Sequence, residues 1–567
     1  MLSAAMFVIT AVVLLLPGLH VAIFARSRNA SPTPRAITLA AAIAMNAGIG
    51  YTAFWVFFLN RHAGFAYSGL IAAFALASCV NLLWNRKLRA ELLHHDYLIP
   101  LSLMLLTCAF YIAILLLGAP GHAAPNHRFL SHELPPDNII PRIFADKLAD
   151  GSDPRPILGD VHSRDMNSWQ SSDRPPLQAG LVLVHRAWLA LFGWDAHTQY
   201  QLLGALAQCL WIPALWAFFR AAGISARTAA IALASCIFSG FFLINSVFVW
   251  PKLLSAALVF LGMAVIVATQ SDYLPDASTG VSRRQRSGGT GALVLAASLA
   301  ALALLAHSGV SFFYPVIAWL AVSRRFIGGL RSTGIFVAVF AAWLMPWSAY
   351  QKFYDPPGNH LLKWHLAGVP EIDDRSFPRA LADSYARLTF DAFVANKAEN
   401  AAVLIGETRP LQPFAWPSRH DQFFNLVKTL GILNLGWFAL AFAALRRRSD
   451  ESRNETKWSA RLLAMGMATL ALWILAMFLP GSTLVHQSSY AMVVAFFIGL
   501  SLAIAQLPAW VRMPIVGIQI AHFAAVWAAS IADSADMNFG FAAAAVAIAA
   551  LIGAELYWIA ARPEFSE

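Results

Sequence analysis

Charge is scarce in this chain. Asp, Glu, Lys and Arg make up 12% of 567 residues while 59% are hydrophobic, too little polar surface to wrap a water-soluble fold of this length. Cysteine is scarce too. Cys79, Cys108, Cys209 and Cys236 are the four present, all inside apolar stretches, so neither a secreted disulfide framework nor a CxxC metal site is available. A Walker A segment, a GxGxxG turn and a nucleotide-sized cytoplasmic domain are missing, which argues against an ATP-driven pump and against a nucleotide-sugar donor used from the cytoplasm. No HExxH or His-x-His spacing occurs. No repeat recurs at solenoid spacing, and no inverted repeat argues a transporter fold. The net charge of +10 does not form a basic face, because the arginines lie in short clusters between apolar runs. That pattern belongs to membrane orientation and excludes nucleic acid as a partner.

Long apolar windows are abundant. Runs of roughly 17–25 residues suffice to cross the hydrocarbon layer as helices, and they fall near 2–25, 36–59, 64–84, 97–118, 198–219, 228–249, 253–269, 291–306, 310–322, 333–350, 426–445, 462–480, 488–507, 513–532 and 538–560. The first has no basic residue before it, so it reads as a retained helix rather than a cleaved signal peptide. The expected fold is an all-α polytopic membrane protein of about fifteen transmembrane helices. Arginine and lysine assign the sides. Arg26, Arg28 and Arg35 follow the first span, Arg86, Lys87 and Arg89 the third, and Arg220 and Arg227 the fifth. Arg283, Arg284 and Arg286 follow the seventh, Arg324, Arg325 and Arg331 the ninth, and Arg446 to Arg448 with Arg453 and Lys457 the eleventh. Every second loop is basic, so the N-terminus is expected outside and the C-terminus in the cytoplasm. The arginine- and alanine-rich composition points to a bacterial inner membrane.

This organisation divides the chain into a four-helix membrane segment (1–118), a first outer loop (119–197), central helices (198–350), a second outer loop (351–425) and C-terminal helices (426–567). Loops of this length are functional or disordered. Their tryptophan, phenylalanine and leucine content speaks against disorder. Leu177 to Trp194 reads as an amphipathic or re-entrant helix interrupted by His185 and Arg186 and lying at the interface. Residues 376–405 read as a helix pair with mixed faces.

Ionisable groups gathered at one leaflet suggest a site. The first outer loop contains Glu133-Leu134-Pro135-Pro136-Asp137-Asn138, in which prolines restrain two carboxylates. Desolvation near an apolar face raises a carboxylate pKa and makes it a better base toward a hydroxyl. Further on, Ser171-Ser172-Asp173-Arg174-Pro175-Pro176-Leu177-Gln178 runs into an apolar helix, where Arg174 is placed to fork onto a phosphate. Lys252, in Trp250-Pro251-Lys252, and Lys363, beside Trp364 and His365, are further candidate phosphate ligands. His307, His365, His486, Gln487 and Tyr490 complete the expected pocket at the outer ends of the helices. Each alone is equally well read as a solvated, snorkelling or interfacial group.

An acidic pair, a loop of some tens of residues, then an acid or histidine before Arg/Pro-Pro-Leu at the next membrane helix resembles the first outer loop of the GT-C superfamily, the polytopic glycosyltransferases that use lipid-linked sugars. The resemblance covers about residues 130–200 closely and the remaining spans loosely. It implies transfer of a sugar from a polyprenyl-phosphate-type donor to a cell-envelope glycan, lipid or protein acceptor on the outer face of the membrane. By position it makes Asp137 the catalytic acid residue, Glu133 the alternate, and Asp173 the counterpart of the histidine in the family's His-Pro-Pro-Leu segment. The loop here follows the fourth span rather than the first, and Asn138 stands where many members have a second carboxylate. Relatives differ in metal use, so no cofactor is assigned and a divalent cation stays open. A transporter or flippase for a lipid-linked or anionic solute is the alternative, with a non-catalytic assembly partner as a third reading.

Overall fold

The computed structural model describes residues 2–28, 33–117, 136–155, 157, 169–269, 289–406, 425–446, 450–478, 485, 488–528 and 538–561. Among these the chain is helical throughout, with no strand. The N-terminal part comprises α1 (Leu2–Arg28), α2 (Arg35–Leu59), α3 (Arg61–Trp84) and α4 (His95–Leu115). The first long loop carries α5 (Leu177–Val184) and α6 (Arg186–Phe192), and from its end onward come α7 (Ala196–Cys209), α8 (Trp211–Ala221), α9 (Ala226–Ile237), α10 (Gly240–Val247), α11 (Lys252–Ala268), α12 (Thr290–Ala306), α13 (Tyr314–Ser323) and α14 (Leu330–Ala349). The second long loop contains α15 (His360–Ala367), α16 (Phe377–Tyr385) and α17 (Phe390–Ile405), the last two matching the expected helix pair. The C-terminal part comprises α18 (Gly436–Arg446), α19 (Asp450–Ala476), α20 (Tyr490–Ala505), α21 (Ala509–Phe523) and α22 (Phe539–Ala561).

Among the described residues, ten helices are long and apolar enough to cross a membrane, and eleven if α9 and α10, bent by 64°, count as one span. The chain is therefore read as a multi-pass membrane protein. The bend has a local cause, because Ser239 restarts the helix by accepting from the Phe242 N–H. Four other expected spans are the shorter helices α11, α12, α13 and α20. At 17 residues α11 rises only about 25 Å, yet it is buried on every side, as is α20. These helices form the centre of the bundle with α7 and α8, and need not meet lipid. The long α14 and α22 are largely exposed and lie at the periphery.

The segment from Leu177 corrects an expectation. Its break at His185 is where the sequence places it, but α5, before the break, is buried on all sides, whereas α6, after it, exposes Leu191 and Phe192. Helix α5 packs on α2 at a crossing that only glycine permits: a Cβ on Gly180 would lie 2.0 Å from the Gly50 carbonyl oxygen. Close approach through small residues is the usual way membrane helices gain packing.

The basic clusters collect at one end of the bundle. Glu91 bridges Arg26 and Arg35 at 2.9 and 2.8 Å, and Arg220 meets Asp96 at 3.1 Å. Asn454 donates to the Ala222 and Gly223 carbonyls, while Arg324 and Arg461 both approach the Trp458 ring. The clusters after the first, fifth, ninth and eleventh spans thus share one end. Helices that start there, including α14 and α19, finish at the opposite end, where the two long loops meet.

Candidate functional site

Gln170 to Arg174 forms the first wall at that opposite end. The 3-10 turn Ser171–Asp173 is closed by the Asp173 carboxylate, which accepts from the Gln170 N–H at 2.9 Å. The turn sits on the end of α14 and the start of the second loop. Asp355 Oδ2 accepts from Ser171 Oγ at 2.6 Å and from the Ser172 N–H at 2.8 Å, and Gln351 donates to the Ser172 carbonyl at 3.0 Å. Asp173 and His360 form an ion pair at 3.1 Å with both side chains 1% exposed. Both ring nitrogens face acceptors, Nδ1 the Asp173 carboxylate and the other the Pro370 carbonyl, which only accepts, an arrangement that favours the imidazolium. Burial lowers the His360 pKa, but the Asp173 carboxylate more than offsets it and the net shift is upward. Oδ2 of Asp173 is therefore engaged by His360 and the Gln170 N–H. The residue fastens one loop to the other.

Between these loops and the helix ends lies a cavity of about 470 Å³. Arg174, Lys252, His307 and His365, four of the expected pocket residues, line it together with Asp173. Trp250-Pro251 breaks the chain between α10 and α11, so Lys252 starts α11, whose N-terminus adds its own partial positive charge. Arg174 lies 4.3 Å from the Trp169 ring centroid and Lys252 3.9 Å from that of Trp250. The histidines register the field of these cations. Burial first, and then Lys252 and Arg174, push the His365 pKa down to about 3 and hold His307 well below its ordinary value. Neutral His307 is further fixed as a single tautomer, since its Nδ1 accepts from the Gly309 N–H at 3.0 Å. The rest of the lining mixes apolar side chains, Leu304, Phe312, Leu344 and Met477 with the indoles of Trp347, Trp364 and Trp473, and neutral polar ones, among them Ser308, Ser311, Ser348, Gln351 and Asn359.

No family model, curated protein or solved structure matches the chain.

The other expected residues fare differently. Lys363 does not line the cavity. It lies on the far side of α15, buried, and donates to the backbone carbonyls of Asp373 and Arg375; its helical position, two residues before His365, turns it away from the face that His365 occupies. Tyr490 is one layer behind the cavity wall, donating to Asn245 at 2.5 Å beneath the Lys252 ammonium. Glu133, His486 and Gln487 lie outside the described residues. Asp137 is described in its backbone, in the 3-10 turn Pro136–Ile139. Its neighbour Asn138 is buried and donates to the Phe248 carbonyl at 3.0 Å, which brings that turn to the segment leading into Lys252.

The part of His360, and Trp347 and Trp473 in the lining, escaped the sequence reading. His360 is one turn before Trp364, and the periodicity that places Lys363 beside His365 in sequence also places His360 and Trp364 together in space. Among the described residues the group of three potential metal ligands within 4.8 Å of one another is His94, His95 and Asp96. It lies at the basic end, where Arg220 already contacts Asp96, and not at the cavity.

Proposed function

We propose that the chain is a membrane glycosyltransferase that moves a sugar from a polyprenyl-phosphate-type donor to an envelope acceptor, on the face of the membrane opposite the basic loops. The observation that carries this reading is the cavity itself: Arg174, Lys252 and two neutral histidines share one lining with aliphatic and indole side chains and with neutral polar groups such as Ser308, Gln351 and Asn359. An anionic head with an apolar tail suits such a lining, and indole faces suit the apolar face of a sugar ring. Basic loops remain cytoplasmic, so the cavity end is the outer one; the arginine- and alanine-rich composition supports a bacterial plasma membrane. The GT-C-like run through residues 130–200 supports the same reading.

In this mechanism the carboxylate of Asp137, or of Glu133, removes the acceptor hydroxyl proton as that oxygen attacks the anomeric carbon. The bond from that carbon to the phosphate oxygen breaks, and the lipid phosphate departs with the bonding pair. Arg174 and Lys252 stabilise the charge gathering on it, with His307 as a neutral hydrogen-bond donor. Remaining anionic, the leaving group calls for cations more than for a strong acid. Transfer from a radiolabelled polyprenyl-phosphate sugar, followed in membranes, tests the assignment. Asp137→Asn is expected to lower the rate by roughly 100- to 10,000-fold with insertion intact, and Glu133→Gln decides which acid is the base. Full activity of both single variants and of the double variant would remove the transferase reading in favour of transport of a lipid-linked or anionic solute.

A further inference from the structure

The backbone entering Lys252 is strained. Val249 adopts φ +55°, a region that β-branched residues scarcely visit and that persists only where the surroundings over-determine it. Here the surroundings are amide side chains from three separate elements. Gln201 of α7 donates to the Val247 carbonyl at 2.5 Å, Asn138 of the acidic turn to that of Phe248 at 3.0 Å, and Gln178 of α5 to that of Val249 at 2.7 Å. Two of the donors are themselves joined. Gln178 also donates to Tyr200 Oη at 3.2 Å, and Tyr200 donates in turn to the Asn138 carbonyl. Gly204 leaves room for the turn, since a Cβ there would lie 2.6 Å from the Val249 side chain. Satisfying the last carbonyls of α10 needs three donors. It does not need one of them to come from the turn that carries Asp137, nor two of them to be linked through Tyr200.

We infer that Asn138, Tyr200 and Gln178 are positioning residues that bind the Pro136–Ile139 turn and the Val249–Lys252 turn into one unit, so that the Asp137 backbone and the Lys252 ammonium are set together. The inference rests on the reading of the cavity as a phosphate-ester site. Strain at Val249 fixes the direction in which Trp250 and Lys252 leave the backbone, and the amide network transmits that direction to the acidic turn. Removing one link lets Lys252 wander without touching the ligand.

A double-mutant cycle on the full chain in detergent tests it, with dioctyl phosphate as the probe and tryptophan fluorescence reporting its dissociation constant. Dimethyl phosphate, with the same head and no tail, separates a lipid ligand from a small free one. Asn138→Ala and Tyr200→Phe are each expected to weaken dioctyl phosphate binding about 3- to 10-fold, yet to change it by less than about 1.5-fold when Lys252→Ala is already present. A structural role predicts the same loss in both backgrounds, or a lowered melting temperature with affinity unchanged; either result overturns the inference while leaving the anion site standing. Absence of binding by the wild type, or indifference to Lys252→Ala, overturns the site and the inference together. Tyr200→Phe removes a single oxygen, so the cycle can be completed even where Asn138→Ala does not fold.

Discussion

Replacing His360 by Gln is expected to destabilise the protein and to remove a specific pH dependence. The wild-type pair with Asp173 is 3.1 Å apart and almost sealed from solvent, so removing the imidazolium strands a buried carboxylate. Breaking a buried pair in this way costs about 3 kcal/mol or more. The second hydrogen bond, to the Pro370 carbonyl at 2.8 Å, is lost with it. Unfolding entropy of about 2.1 cal/mol/K per residue, summed over 567 residues, converts 3 kcal/mol into a fall of roughly 3 °C in melting temperature. The pH dependence has a definite sign. Folding raises the His360 pKa above its ordinary 6.5, so the stabilisation is fully present below 6.5 and is lost as pH rises through the higher folded value. Melting curves in detergent between pH 5.5 and 9, followed by tryptophan fluorescence, should show the wild type losing stability above neutrality. The His360→Gln protein should lack that component. A variant that melts within 1 °C of wild type and keeps the same pH profile would refute the buried pair, and with it the fastening of one loop to the other.

Lys363→Ala should leave dioctyl phosphate affinity unchanged while costing about 1–3 kcal/mol of stability, because its ammonium serves two backbone carbonyls rather than the cavity; a tenfold affinity loss would return it to the ligand. Gly180→Ala should prevent α5 from seating on α2, since the new methyl would meet the Gly50 carbonyl oxygen at 2.0 Å; a normal yield of monodisperse protein would show that the crossing is looser than described. Single cysteines at Ser152 and Arg86 should label from opposite sides with an impermeant maleimide, Ser152 in intact cells and Arg86 only after permeabilisation. Labelling of Ser152 only after permeabilisation would reverse the topology and move the cavity to the cytoplasm.

By itself the sequence determines that this is a helical, multi-pass membrane chain with its basic loops on one side. Hydrocarbon demands that backbone groups be satisfied internally, which a long apolar run does as a helix, and arginine is costly to translocate in short loops. Both constraints act on local composition and can be read one segment at a time. Local signals likewise mark the break at His185, the helix pair after residue 376 and the cationic turns at Arg174 and Lys252. Tertiary structure alone decides which of these groups meet. Lys363 and His365 are two residues apart, yet one turns to a backbone turn and the other to the cavity, because α15 has a packed face and an open one. Asp173 reads as an acid at a membrane corner until His360, distant in sequence, takes up its charge. The apolar segment at Leu177 has the composition of an interfacial helix and is buried because Gly50 and Gly180 let two backbones touch. Pairings between distant segments depend on which faces the folded bundle brings together, and no run of neighbouring residues contains that information.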